Sequence, residues 1–110
     1  MMTHRPSPAP LTPAVFHIHL ALAEGPLHGY AIMQAVEVSA GEEMGPGTIY
    51  GSLQRMEAAG LVKELAQRAD DRRRVFALQP PGRKALIAES RRLARLAALV
   101  RARRLVTEEI

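Results

Sequence analysis

Glycine and proline cut this chain at Gly25-Pro26, Gly45-Pro46 and Pro80-Pro81-Gly82, so no helix can run through those points. What lies between the cuts is therefore short. Thr12 can cap a first helix with Pro13 at its first position, and the segment through Val15, Ile18 and Leu22 carries the apolar face to Glu24. A second helix is predicted from about Tyr30 to Ser39, with Ile32, Ala35 and Val36 turned inward and Gly41 closing it. Gly45 and Pro46 open a third, which Gly60 ends. Ile49, Leu53 and Met56 give it one apolar stripe at i, i+4 and i+7.

The third helix has an odd opposite face. At about 100° per residue, Gly47, Gly51, Gln54, Arg55 and Ala58 point away from the stripe, with Thr48 and Ser52 flanking on one side and Tyr50 on the other. A glycine inside a helix costs roughly 1 kcal/mol relative to alanine. The glycines thin an exposed face, which suits close approach by something rigid; tight packing inside the protein is the structural alternative.

Leu61 to Gln67 and Arg73 to Gln79 read as two strands, with Phe76 and Leu78 alternating with Val75 and Ala77, and Asp70-Asp71 supplying the turn. Arg72, Arg73 and Arg74 stand beside that turn. A final helix, roughly Pro81 to Val106, places Leu86, Leu93 and Val100 at seven-residue spacing, with Leu96 and Ala97 between them. That is a short coiled-coil-like seam. The expected fold is mainly α with a small β-hairpin: residues 1–11 as an N-terminal arm, 12–79 as a winged helix-turn-helix domain and 80–110 as a dimerisation helix.

Composition narrows the function. The 110 residues suit one domain, and small domains often gain stability from a dimer interface. The chain has no cysteine, which excludes disulfides and thiolate sites and suits the cytoplasm. No apolar run reaches the roughly 18 residues of a membrane span, and the Pro-rich start lacks a signal-peptide core, so no membrane role is expected. The formal charge is +4 and the isoelectric point about 10.3, which favours an anionic partner such as double-stranded DNA. A thinned helix followed by a basic ribbon is how winged helix proteins grip a duplex, helix in the major groove and wing on the backbone.

Four stretches, Leu22 to Tyr30 (LAEGPLHGY), Gly45 to Leu53 (GPGTIYGSL), Met56 to Val62 (MEAAGLV) and Asp70 to Leu78 (DDRRRVFAL), together resemble the PadR family of bacterial transcriptional regulators in its short form. The resemblance implies a homodimer that binds a palindromic operator, usually as a repressor. It implies a phosphate contact for the Tyr50 hydroxyl. It also packs the final helix on the partner's first helix, which assigns Val15, Ile18, Leu22, Leu86, Leu93, Leu96, Ala97 and Val100 to the interface. Two departures stand out: Gln79 replaces a threonine that would cap the last helix, and Gly51 stands where many members have proline.

The candidate DNA contacts are therefore His28, Tyr30, Gly47, Thr48, Tyr50, Gly51, Ser52, Gln54, Arg55 and Arg72 to Arg74. Tyr30 is equally readable as core, and Gly29 as backbone geometry. Arg91, Arg92, Arg95, Arg101, Arg103 and Arg104 read as a solvated face flanking the seam rather than a second DNA strip. His17 and His19, at i and i+2, point apart and form no chelate, so no metal or cofactor is expected. Their ordinary role is exposed or at an interface. Ser39, Ser52 and Ser90 lack the context of a nucleophile, and GPGTIYG lacks the lysine of a phosphate loop, so catalysis is not expected. The other readings are a winged helix that binds an acidic protein, or a regulator with a small-molecule effector at the dimer interface. With only Phe16, Phe76, Tyr30 and Tyr50 as aromatics, a stacked-ligand pocket has little material.

Overall fold

The computed structural model describes residues 10–66 and 73–106. The elements run α1 (Pro13–Leu22), β1 (Leu27–His28), α2 (Gly29–Ala40), α3 (Pro46–Ala58), β2 (Val62–Glu64), β3 (Val75–Leu78) and α4 (Pro80–Ala102). The caps follow the sequence closely. The Thr12 hydroxyl accepts the Val15 N–H at 3.3 Å with Pro13 at N1, and Gly41 closes α2 at φ 76°, the left-handed conformation that favours glycine. α4 starts at Pro80 with Gln79 as N-cap, and Gln79 makes no side-chain cap bond. Its amide donates to the Ala77 carbonyl at 3.3 Å instead.

Several boundaries differ from the sequence reading. The strands are shorter than expected, and α4 stops at Ala102 rather than Val106, where Arg104 turns to φ 57°. The sheet has three strands, not two, in the order β1-β3-β2 and all antiparallel. Leu27 pairs with Phe76 and His28 with Val75, while Val62, Lys63 and Glu64 pair with Leu78, Ala77 and Phe76. A two-residue strand is too short to show a period of two, so only the partner reveals it. Gly29 N–H extends this ladder to the Arg74 carbonyl at 3.2 Å.

The core joins Ile18 and Leu22 of α1, Ile32 and Val36 of α2, Ile49, Leu53 and Met56 of α3, Val62 and Phe76. α1 is the central element and touches α2, α3, α4 and β3. That corrects three interface assignments. Ile18, Leu22 and Leu86 are 0%, 1% and 6% exposed in the single chain: Ile18 and Leu22 belong to its core, and Leu86 is already covered by the chain itself. Val15 is half-buried and packs on the same core. His19 is fully buried, not exposed. Its Nδ1–H donates to the Val15 carbonyl at 2.8 Å, and its Nε2 has no partner among the described residues. Burial pushes the His19 pKa down, the backbone bond offsetting part of the effect. His17 Nδ1 pairs with Ser39 Oγ at 2.7 Å, joining α1 to α2.

Gly82, in the first turn of α4, sits against the end of the wing. A Cβ there would collide with the Leu61 carbonyl oxygen and fall 2.7 Å from Leu78 Cδ1. The same carbonyl accepts the Gln79 N–H at 2.8 Å, so the backbone cannot withdraw cheaply.

Candidate nucleic-acid interface

Gly29 begins α2 where the side chain of Tyr50 crosses it. A Cβ on Gly29 would collide with the Tyr50 hydroxyl and fall 2.7 Å from its Cζ, so glycine is what lets the ring lie over the start of α2. This gives Gly29 a packing role that the sequence did not reveal. His28 caps the same helix: its Nδ1 accepts the Ala31 N–H at 3.3 Å. That acceptor role places the proton of neutral His28 on Nε2. Tyr30 is 64% exposed, which removes the core reading.

The wing completes the site. The Arg74 guanidinium lies 5.2 Å from the centre of the Phe76 ring and 6.0 Å from that of Tyr50, within cation–π range. Its Nε and one terminal nitrogen donate to the two Glu64 oxygens at 3.1 and 2.8 Å. This bidentate bond holds the Glu64 carboxyl below the usual carboxylate range and pushes Arg74 up. The result is a notch of about 540 Å³ lined by His28, Gly29, Tyr30, Tyr50, Arg73 and Arg74. Residues from the β1–α2 junction, α3 and the wing thus meet, five of them named from sequence. Arg72 and the Asp70-Asp71 turn lie outside the described residues.

Beside the notch, the outer face of α3 exposes Gly47, Thr48, Gln54 and Arg55, with Gly51 half-exposed. A Cβ on Gly51 would meet only the end of Arg55, at an ordinary 3.6 Å. The alternative of tight packing at Gly51 therefore does not hold. Ser52 is a correction: it is 1% exposed and cannot flank an open face. It sits three residues after Ile49, on the edge of the buried stripe, and its hydroxyl accepts from Arg55 at 3.3 Å. Sequence reasoning missed Glu64 altogether. Its pairing with Arg74 arises across the β2–β3 ladder, where no local spacing marks it.

At the other end, α4 leaves Ile87, Leu93, Leu96 and Leu99 between 36% and 49% exposed, and Leu20 of α1 is 43% exposed. Ala97 and Val100 are half-buried. The Arg92 guanidinium beside Glu89 holds that carboxyl below its usual range. Among the described residues no helix is long and apolar enough to cross a membrane.

The three-helix core with its wing and appended long helix defines a winged helix-turn-helix protein. Residues 18–88 match the transcriptional regulator PadR-like family, and the chain belongs to that family. It is 38% identical over 82 residues to the transcriptional regulator Rv3488 of Mycobacterium tuberculosis, covering 74% of this chain and 76% of that protein. It is 49% identical over 80 residues, 73% of this chain, to an uncharacterized 37.1 kDa transposon protein of Streptomyces fradiae. The match spans only 23% of that relative's length. Among solved structures it resembles a PadR family regulator of Clostridium difficile (TM-score 0.70, 22% identity, 81% of this chain and 95% of that one). It also resembles Bacillus subtilis PadR in complex with operator DNA (TM-score 0.57, 20% identity, 66% of this chain and 43% of that one).

Proposed function

We propose that this chain is a sequence-specific DNA-binding repressor. In this reading it acts as a homodimer on a palindromic operator, with α3 in the major groove and the wing on the backbone. The observation that carries it is the juxtaposition of the thinned α3 face with the notch formed by His28, Tyr30, Tyr50, Arg73 and Arg74. The face offers Thr48, Gln54 and Arg55 to base edges, and the notch offers hydroxyl, imidazole and guanidinium donors to a phosphate. The family match and the operator complex of the Bacillus subtilis relative support the same reading. The exposed α4 stripe through Leu93 and Leu96, continued by Ala97 and Val100, supplies the dimer seam.

Selection of bound duplexes from a random pool tests it. The expected product is two inverted half-sites about one helical turn apart. A pool that shows no enrichment overturns sequence-specific binding. Leu93→Glu with Val100→Glu should give monomers by light scattering and lose the paired half-sites; a wild type that is monomeric at micromolar concentration rules out the dimer.

A further inference from the structure

In the wing, the Arg74 guanidinium stacks on two rings and is clasped by a carboxylate. Glu64 satisfies two of its donors in the planar geometry that a phosphate would otherwise occupy. Glu57 reinforces the arrangement, since its carboxylate accepts the Glu64 backbone N–H at 3.3 Å and adds a second negative charge near Arg74. Yet the pair is open to water, with the Arg74 side chain 49% and the Glu64 side chain 30% exposed. An ion pair this exposed contributes little to folding. Its effect falls instead on whatever anion approaches the notch.

We propose that Glu64 is a discrimination residue: an internal carboxylate that holds Arg74 away from phosphate until a duplex seated in register displaces it. This rests on the reading of the notch as a DNA-backbone site. On a random duplex, Arg74 stays with Glu64 and adds no phosphate contact. On the operator, the seated α3 brings a phosphate into the notch, and Arg74 exchanges one anion for another. Glu64 thereby lowers non-specific affinity more than specific affinity, and the ratio between them rises.

The test is fluorescence anisotropy of the wild type, Glu64→Gln and Glu64→Gln/Arg74→Gln. Each is titrated between 50 and 200 mM salt with the selected duplex and with a scrambled duplex of equal length. Removing the carboxylate frees one phosphate contact per protomer. Glu64→Gln should therefore tighten the scrambled duplex by about tenfold at the lowest salt and steepen its salt slope by about 0.9 per protomer. The selected duplex should gain less, so discrimination falls. The double variant should lose the gain, and thermal midpoints should stay together. A Glu64→Gln protein that binds the scrambled duplex no tighter than wild type overturns the inference, as does a gain that survives in the double variant. In either case the wild type's preference for its selected site leaves the DNA reading standing. A wild type that binds neither duplex overturns both, before any variant is compared.

Discussion

Gly82 in α4 and Gly51 in α3 are both glycines inside helices, and the structure gives them opposite meanings. At Gly82 the missing Cβ is filled by protein: the Leu61 carbonyl and Leu78 lie where a methyl would go. At Gly51 the space is open, with only the movable tip of Arg55 nearby. One glycine is demanded by the packing of the chain against itself. The other answers no demand of the fold, which is why the α3 face is the better candidate for a surface shaped by a partner.

The same substitution at both positions should therefore move stability in opposite directions. Gly82→Ala is the larger effect. Alanine is the better helix former, but the added methyl meets backbone, and overpacking of that kind costs roughly 1–3 kcal/mol. Since 1 kcal/mol shifts the melting point of a small domain by about 4–8 °C, thermal unfolding resolves it. An unchanged or raised melting temperature would erase the contrast.

Gly51→Leu sharpens the other side. Its side chain would project outward from the Ile49, Leu53 and Met56 stripe into the groove, so the fold should hold while operator binding weakens at least about tenfold, or about 1.4 kcal/mol. Unfolding and binding titrations on one sample decide it, and a destabilised mutant that binds normally would remove Gly51 from the DNA face. Gly29→Ala should resemble Gly51→Leu rather than Gly82→Ala. The colliding group is the outer end of the Tyr50 side chain, which can swing away, so the notch is lost before the fold.

His19 shows the filled interior at its limit. Its folded-state pKa lies below the unfolded value, so the unfolded chain binds more protons as pH falls through about 6.5, and stability drops. The slope for one group is at most about 1.4 kcal/mol per pH unit. His19→Gln should flatten the difference between melting curves at pH 7.5 and 5.5; a variant with the wild-type pH dependence would place the titration elsewhere. The smallest effect returns to the opening contrast. Gly51→Ala should raise stability by up to about 1 kcal/mol, from helix propensity alone.

Much of the fold was legible because its signals are local. Caps such as Thr12, breaks such as Gly25-Pro26 and the 3.6-residue stripe of α3 act within a few residues, so their consequences can be read in order along the chain. The positions that misled are those where a second element intervenes. Ile18, Leu22 and Leu86 carry the apolar pattern expected of an interface, but apolarity does not say whether the covering surface belongs to the same chain. Ser52 is polar and lies one position from the exposed face, yet it is buried at the edge of the stripe. Leu99 lies outside the seven-residue series and is nonetheless part of the bare face of α4.

By itself, the sequence determined the helices and their order, the basic hairpin, the thinned α3 and the family to which the chain belongs. Periodicity, capping and charge are properties of neighbouring residues. Only the tertiary structure decided that Leu27-His28 is a strand, that Gly29 yields its place to Tyr50, and that Glu64 rather than solvent holds Arg74. Each of these joins residues from separate elements, and the contact comes into being only when the core brings those elements within a few ångströms of one another.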